Sequence, residues 1–439
     1  MLFGNVNQFS FGEAAFMDVD AISGNNVIVV YRDWDNLSFG TAKIGTFSND
    51  KITFGDSVVF SASNTFLPKI KTVNDSVFLV VYRDMGQSGK GVIVKGTMVN
   101  NSIVFGPSLP FSCAMISSTS LIMMESISFI IAYKDNGNNG FGTIRSGNLE
   151  EGNILLGQEY VFNEATSYEN VLLRLSDTTF LVSYRDAGNG EAGTIKAGEI
   201  INGIVVFSEA AVFSPSPAWD ISQANIGPAR FMVSCSTDNQ TGESVLGNYE
   251  NGGLYFSDPF VFSDTVITAT STTIINDSIA VVSFSDGLNN GAGTTILAKI
   301  NSGGIIFGDP VVFKPEGSFT LSETVLSDST FLLVFRDGGN EFSGSAIIGK
   351  VQFDPITGIV YFPGNIDGLV FPNPANDHFY VEGRDISKVE LMNLNGRKIL
   401  SSKITAEKTR FGLSGLEKGI YMVKISSKGK TEIRKLVVE

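Results

Sequence analysis

Short apolar segments of this chain end repeatedly in an aromatic residue, a cation and an aspartate. The first example is Tyr31-Arg32-Asp33, which follows the apolar run VIVV. Arginine presents a planar fork of donors that suits a carboxylate or the vicinal hydroxyls of a sugar. These residues therefore either form repeated buried ion pairs that lock neighbouring structural units together, or they face a ligand. The candidate pairs are Arg32–Asp33, Arg83–Asp84, Lys134–Asp135, Arg185–Asp186 and Arg336–Asp337.

A second variable position lies sixteen residues before each aromatic anchor. It is aromatic in four copies and small or hydroxylated in the others. Aromatic rings have flat faces on which sugars stack, and Trp34, beside the first cation–aspartate pair, adds a fifth ring. Packing in the hydrophobic core is the alternative. The aromatic candidates are Phe66, Tyr168, Trp219 and Phe319, and the remaining copies carry Ala15, Ser117 and Thr268.

The loop that follows each aspartate has the pattern Asp-x-x-Asn-x-x-x-Gly. Its carboxylate can accept turn N–H groups while Asn and Gly take left-handed conformations, which is a purely structural explanation. Calcium is the functional alternative, because it prefers hard oxygen ligands, although most loops offer a single carboxylate. The calcium candidates are Asp135, Asn138, Asp186, Asn189, Asp337 and Asn340. No other cofactor is predicted.

These motifs keep a fixed register because the chain is a tandem repeat of about 51 residues. Seven anchors, at positions 31, 82, 133, 184, 235, 284 and 335, mark seven copies, each with four strand-like segments separated by Gly, Asn and Ser. The sequence therefore predicts an all-β fold, a seven-bladed β-propeller with four-stranded blades. An open seven-copy β-solenoid is the alternative. Residues 3–9 are in register with an outer strand, so we expect them to complete the last blade and close the ring.

The repeat stops near residue 365, where the charge of the chain changes sign. Residues 366–439 carry 13 Lys and Arg against 9 Asp and Glu, whereas the residues before them carry 18 against 36. We therefore predict two domains, a propeller at residues 1–365 and a second domain at residues 366–439.

The second domain contains four short motifs in a characteristic order. They are Pro372-Asn373-Pro374-Ala375, Asn395-Gly396-Arg397, Gly419-Ile420-Tyr421 and Lys435-Leu436-Val437-Val438. In these motifs the domain resembles the C-terminal sorting domain of the type IX (Por) secretion system of Bacteroidetes-type bacteria. The resemblance implies a small Ig-like β-sandwich recognised by the outer-membrane translocon. Alternating strands and the Asn-Gly turn agree with a sandwich. An ordinary binding sandwich is the alternative.

The resemblance also implies a location, secreted from or held at the outer surface of a Gram-negative bacterium. Cargo of this system normally enters the periplasm by means of an N-terminal signal peptide. The first residues, MLFGNVNQFSFGEAAF, contain no Lys or Arg before Arg32 and no continuous apolar segment, so they do not form such a peptide. We therefore expect the leader to lie upstream of this chain or to have been removed.

Composition argues against several classes of function. The net charge of −14 would repel a phosphate backbone, so no nucleic-acid partner is expected. His378 is the one histidine, which nearly excludes catalysis built on histidine. No stretch of 18 uninterrupted apolar residues predicts a transmembrane segment. Cys113 and Cys235 are far apart and form no CxxC motif, so we predict two buried free thiols.

Two classes of function fit these observations. The first is a non-enzymatic binding protein, an adhesin or glycan-binding propeller whose weak sites for glycans or surface proteins add through avidity. The second is a secreted polysaccharide-degrading enzyme, which needs a pair of carboxylates. No copy stands out by unique acids, because the fifth, the most divergent, gains only Asp238. We therefore predict a binding protein and not an enzyme. An architectural, protein-binding propeller is a third option.

Overall fold

Alternating apolar and polar residues make nearly every described element of this chain a β-strand. Two helices occur among the described residues, and each is a single 3-10 turn, at Met85–Gln87 and Ala187–Asn189. The computed structural model describes residues 1–48, 51–125, 127–238, 241–301, 303–352, 368–393, 398–404, 406–416, 418–427 and 430–438. The chain divides into two units, Met1–Val360 and Tyr361–Glu439. The predicted boundary between residues 365 and 366 lies outside the described residues and stays a prediction.

The described residues of the first unit form 28 strands, four to a repeat with few exceptions. In chain order they are β1 Leu2–Phe3, β2 Asn7–Ala21, β3 Asn26–Asp33, β4 Phe39–Ser48, β5 Lys51–Phe54, β6 Val58–Thr72, β7 Val77–Asp84, β8 Lys90–Val99, β9 Ser102–Phe105, β10 Leu109–Met123, β11 Ser128–Asp135, β12 Phe141–Glu150, β13 Asn153–Arg174, β14 Thr179–Asp186, β15 Ala192–Ile201, β16 Ile204–Phe207, β17 Ala211–Gly227, β18 Arg230–Thr237, β19 Gly242–Glu250, β20 Gly253–Phe256, β21 Phe260–Ser263, β22 Ile267–Asn276, β23 Ile279–Asp286, β24 Ala292–Asn301, β25 Gly304–Phe307, β26 Val311–Ser327, β27 Thr330–Asp337 and β28 Ser343–Lys350.

Each repeat forms an antiparallel meander in which the anchor strand is second. In the second repeat β6 pairs with β7, β7 with β8, and β8 with β9. The long strands serve two repeats, because the first residues of β10 pair back onto β8 while its later residues pair with β11. One continuous strand therefore ends one sheet and begins the next, which fixes the spacing of neighbouring sheets.

The first and last repeats meet through the amino-terminal strands. β1 and the beginning of β2 pair antiparallel with β28, as the register of residues 3–9 predicts. The strands that precede the anchor strands also contact one another in chain order; they are β2, β6, β10, β13, β17, β22 and β26, and β26 contacts β2 in turn. We call these seven the inner strands.

The anchor aromatics are core residues, and a glycine in each repeat makes room for a second ring beside them. Tyr133 is 1% exposed and packs against Phe111 with ring centroids 5.4 Å apart. A Cβ on Gly91 would lie 2.3 Å from the Phe111 ring, so glycine is required there by close approach. The same contact recurs in the pairs Gly40–Phe60, Gly142–Phe162, Gly193–Phe213, Gly242–Phe262, Gly293–Phe313 and Gly344–Phe9.

Replacement of this glycine is expected to overpack the core. Gly91→Ala should lower the free energy of unfolding by about 1–3 kcal/mol, because a buried aromatic ring must move. Gly106→Ala is the matched control, since its nearest neighbour would be a carbonyl oxygen at 3.7 Å, an ordinary contact. Chemical denaturation of both variants measures the difference. Equal stability of the two would contradict this account of the repeated glycine.

Inner strands of neighbouring repeats are linked by side chains that bind backbone groups. Asp18 accepts the Ile70 N–H at 2.9 Å and the Ser322 hydroxyl at 2.7 Å, so one carboxylate joins the first repeat to both the second and the seventh. Serines take the same role elsewhere, as in the bond from the Leu172 N–H to Ser120 at 3.0 Å. The inner strands surround a polar cavity of about 390 Å³.

A buried carboxyl interrupts this pattern in the seventh repeat. In the fifth repeat Gln223 accepts the Ser183 hydroxyl at 2.9 Å and donates to the Val171 carbonyl at 2.6 Å. Glu323 occupies the same place in its own repeat, but the neighbouring Ser283 hydroxyl is engaged with Thr295 at 2.8 Å. Both Glu323 oxygens are shielded from solvent and lack a hydrogen bond of good geometry. Burial, opposed by the nearby Ser283 hydroxyl, raises the pKa of Glu323 to about 8, so this side chain is held as a neutral acid at pH 7.

The neutral Glu323 predicts that the stability of the protein falls as the pH rises from mildly acidic to about 8. The folded state holds a proton between about pH 4.5 and 8 that the unfolded state releases, so the free energy of unfolding falls as pH rises through that window. Relative to Glu323→Gln, the melting temperature of the native chain should drop by about 2 °C or more between pH 5 and 9. The exposed substitution Glu209→Gln serves as the control. A constant difference between Glu323→Gln and the native chain at all pH values would disprove the assignment.

The second unit consists of two antiparallel sheets around one apolar core. Their strands are β29 Gly368–Phe371, β30 His378–Gly383, β31 Ile386–Asn393, β32 Lys398–Lys403, β33 Lys408–Gly412, β34 Gly419–Ser427 and β35 Lys430–Val438. One sheet has the order β29-β30-β33 and the other the order β32-β31-β34-β35. Phe379 from the first sheet and Val423 and Leu436 from the second are fully buried in the shared core.

Two of the sorting motifs meet in this unit although they are distant in sequence. Asn373 donates to the Lys435 carbonyl at 2.7 Å and accepts the Val437 N–H at 2.8 Å. Ala375 donates its N–H to the Val437 carbonyl at 2.8 Å. The Pro-Asn-Pro-Ala segment therefore binds the edge of the last strand, and Tyr421 lies in the adjacent strand. Asn395, Gly396 and Arg397 lie outside the described residues.

The two cysteines differ from the predicted pair of buried thiols. Both are free, but only Cys235 is buried, and burial raises its pKa to about 12. Cys113 is exposed because it stands where β10 crosses from one sheet to the next, the place that Phe11 occupies in the first repeat with 97% of its surface exposed. Within the described ranges, no helix is both long and apolar enough to cross a membrane.

Candidate functional site

The aspartates that follow the anchors cap their own loops. Asp135 accepts the Gly137 N–H at 2.9 Å, and Asp186 accepts the Gly188 N–H at 2.9 Å. Asp84 and Asp337 make the equivalent bond, and Asp337 also pairs with Lys314 at 3.2 Å. These contacts match the structural explanation of the loop pattern.

The calcium candidates are not gathered into a site. Asn340 donates to Ser343 at 2.9 Å within its own loop. Asn138 and Asn189 lie in separate loops; the first loop has one carboxylate, Asp135, and the second has Asp186 and Glu191, of which Glu191 pairs with Arg185. In the part of the chain that the structure describes, no three His, Cys, Asp or Glu side chains come together to hold a metal ion.

The cations do not pair with the aspartates that follow them, and this corrects the ion-pair interpretation. Successive residues of a strand point to opposite faces of the sheet, so each cation leaves its aspartate on the other face. Among the described residues the partners are different. Arg336 pairs with Glu13, and Arg185 pairs with Glu191 and, at 3.6 Å, with Glu169. Glu13 lies in the part of β2 that pairs with β28, so this ion pair joins the amino-terminal strand to the sheet of the seventh repeat.

The cations lie instead against the predicted aromatic position, which brings the two sets of candidate residues together. The distances from the cationic carbon or nitrogen to the ring centroid are 4.1 Å for Arg32–Trp34, 4.2 Å for Arg32–Phe66, 4.4 Å for Arg83–Phe66, 4.2 Å for Lys134–Tyr168, 4.5 Å for Arg185–Tyr168, 3.6 Å for Arg185–Trp219 and 4.2 Å for Arg336–Phe342. Such contacts stabilise both partners when they are desolvated. Phe319 contacts Phe342, with centroids 6.1 Å apart.

These stacks lie where one repeat contacts the next. Phe66 and Tyr168 each contact a cation of their own repeat and one of the preceding repeat, which leaves less of each ring for a sugar. Trp34 and Trp219 remain 47% and 37% exposed. Four arginines have a buried Nε–H that donates to no hydrogen-bond acceptor; they are Arg32, Arg83, Arg185 and Arg336.

The contact between the fourth and fifth repeats gathers the largest set of polar groups around one ring. Arg185 is 7% exposed and lies between the Tyr168 and Trp219 rings, with carboxylates of its own repeat on its terminal nitrogens. Arg185 covers one face of the indole, and 37% of the Trp219 surface remains exposed. We call this group the Arg185 site; it comprises Tyr168, Glu169, Arg185, Glu191, Trp219 and Asp220.

Glu169 and Asp220 belong to the site although the sequence interpretation did not select them. Each directly follows the predicted aromatic position and has a left-handed backbone, with φ of 54° and 51°. A positive φ is unusual outside glycine, yet every repeat has it at this place, in Phe16, Leu67, Ser118, Glu169, Asp220, Ala269 and Thr320. The chain departs there from regular pairing, so the side chain turns toward the next repeat: the Ile221 N–H donates to Glu169 at 3.4 Å.

Both acids are partly desolvated, and the charge of Asp220 affects the pKa of Glu169. Burial, reinforced by the Asp220 carboxylate and opposed by Arg185, raises the pKa of Glu169 to about 7. Burial also raises the pKa of Asp220. Desolvation lowers the pKa of Lys134 on the far side of Tyr168, and the charge of Arg185 acts in the same direction. The site therefore holds a carboxyl that titrates near neutrality beside a rigid guanidinium and a partly open indole.

A smaller site of similar composition lies between the first and second repeats. Arg32 is 5% exposed, donates to Ser38 at 3.1 Å and contacts the rings of Trp34 and Phe66. The acidic pair is missing there, since Phe16 and Leu67 hold the left-handed places.

The second unit has a recognised family. Residues 369–439 match the family described as the secretion system C-terminal sorting domain. This confirms the resemblance seen in the sequence motifs. A tail of this family indicates export, to the medium or the cell surface, with handling by the type IX system.

The chain is distantly similar to several solved structures. AofleA from Arthrobotrys oligospora is 8% identical with a TM-score of 0.45, covering 71% of this chain and 90% of that one. The Aleuria aurantia lectin, a variant in complex with Fucα1-6GlcNAc, is 12% identical with a TM-score of 0.43, covering 69% and 98%. A hypothetical selenium-binding protein from Sulfolobus tokodaii is 9% identical with a TM-score of 0.48, covering 66% and 76%. At these scores the likenesses identify no ligand. The chain shows no significant similarity to any curated protein sequence.

The Glu169 proton should be visible in tryptophan fluorescence. The chain has two tryptophans, so in a Trp34→Phe background the emission reports on Trp219 alone. We expect the emission to titrate with a midpoint at about pH 7, because ionisation of Glu169 changes the charge beside the Arg185–Trp219 stack. Glu169→Gln should remove that titration. A midpoint near pH 7 that survives in Glu169→Gln would assign the proton elsewhere.

Proposed function

We propose that residues 1–365 form a seven-bladed β-propeller and that residues 366–439 form an Ig-like sorting domain. Three observations support the ring: seven copies of the meander, inner strands that contact in chain order, and pairing of β1 and β2 with β28. Closure of the ring removes the exposed edges that an open array of sheets would leave.

We further propose that the protein is a non-enzymatic carbohydrate-binding protein, exported by the type IX system to the outer surface of a Gram-negative bacterium, where it acts as an adhesin. The observation that carries this proposal is the Arg185 site. A half-open indole, a fixed guanidinium and two partly exposed carboxylates are the groups that stack on a sugar ring and exchange hydrogen bonds with its hydroxyls. The Arg32 site supplies a second ring and fork, so that weak sites add through avidity.

The binding proposal is tested by removing the exposed ring. Full-length protein is screened on a glycan array and titrated with the strongest ligand by calorimetry. Trp219→Ala should weaken binding about tenfold or more, because it removes the stacking surface. Thr268→Ala is the matched control, since Thr268 is exposed at the same place in the next repeat. Binding that is unaffected by Trp219→Ala would place the ligand elsewhere, and no glycan binding at all would reject the proposal.

Hydrolysis of a polysaccharide is the second candidate, and one observation favours it. Glu169 holds its proton near neutral pH with Asp220 nearby, which are the properties of a general acid and its partner carboxylate. Release of reducing sugar from the bound glycan, abolished by Glu169→Gln, would replace the binding proposal by this one. Binding without release keeps the protein non-enzymatic.

A further inference from the structure

The Arg185 site has more acids than cations, and its one guanidinium is already committed. Arg185 pairs with Glu191 and lies 3.6 Å from Glu169. Glu169 accepts the Ile221 N–H at 3.4 Å, directly after Asp220, and the Asp220 charge raises the pKa of Glu169. The other nearby cation is Lys134, which lies against Tyr168 at 4.2 Å. Three carboxyls therefore share the site with two cations, of which Arg185 is already paired.

This imbalance is particular to one place in the ring. At the left-handed position the other five repeats carry Phe16, Leu67, Ser118, Ala269 and Thr320, none of which is charged. Two acids in successive repeats repel each other and are partly desolvated, and both effects raise the free energy of the folded protein. A positive charge delivered by a ligand would relieve both costs.

One feature besides the acids points to a ligand at this place. Trp219 is 37% exposed although one face of its indole is packed on Arg185. A ring that stacks on the indole would bring its substituents to the acids at the rim.

We propose that the Arg185 site selects glycans that carry a protonated amino group, such as de-N-acetylated amino sugars, over neutral and anionic glycans. This inference rests on the proposed carbohydrate binding. The ammonium lies between Glu169 and Asp220 and donates to both, while the sugar ring stacks on Trp219. Acidic sugars are rejected because they add a negative charge to an already negative site.

The test compares three trisaccharides on the full chain by calorimetry at pH 6, where a sugar amine is protonated. They are tri-glucosamine, tri-N-acetylglucosamine and tri-galacturonate. We expect the amine-bearing trimer to bind at least about tenfold more tightly than the acetylated one, and the uronate trimer to bind weakest. A charge preference also shrinks in high salt. Asp220→Asn and Glu169→Gln should each reduce the preference for the amine-bearing trimer. Asp258→Asn, which removes one exposed charge between β20 and β21, should not.

Proton release separates this site from general attraction to an acidic protein. An ammonium beside Glu169 favours the ionised carboxyl, so binding of tri-glucosamine should expel part of a proton, seen as a binding enthalpy that depends on the buffer. Glu169→Gln should abolish that dependence. Equal affinity for the amine and acetylated trimers would overturn the selectivity but leave carbohydrate binding intact. Binding of none of the three, together with an empty glycan array, would overturn both.

Discussion

The first unit depends on side chains that substitute for backbone pairing between its inner strands. Neighbouring sheets pack face to face, so the inner strands of successive repeats form no ladder with each other. A carboxylate or hydroxyl of one repeat accepts the N–H of the next instead, as Asp18 does for Ile70 and Ser222 for Thr272. Each such bond fixes the position of one inner strand relative to the next. Where the acceptor is Asp18, the same group also binds Ser322, so the first and last repeats are held in one register.

The same repeated geometry explains how one copy acquires a site. Every repeat turns one side chain out of the inner strand through a left-handed residue, whether or not that side chain is polar. Where the residue is Leu67 or Phe16 the result is packing, and Phe16 contacts Phe66 with centroids 5.5 Å apart. Where it is Glu169 or Asp220 the result is a strained, partly buried acid beside a guanidinium. The proposed recognition site thus arises from substitutions at a fixed place, with no change of the backbone.

The repeat period was sufficient to predict the β class, the four-strand meander and the return of the first strand to the last sheet. It also identified Arg185, Tyr168 and Trp219, because their positions recur. It did not predict the partner of each cation, because two residues that are adjacent in a strand point to opposite faces of the sheet. It also missed Glu169 and Asp220. Their signal is a charge at one place in only two copies, and it becomes visible when that place is compared across all seven.

Pairing of the first strand with the last has a consequence for how the chain reaches its native state. The bond from the Gly344 N–H to Ser10 joins residues 334 positions apart. The sheet that contains β28 cannot be completed until both ends of the first unit are available. Contacts of such separation slow folding and leave hydrophobic edges accessible meanwhile.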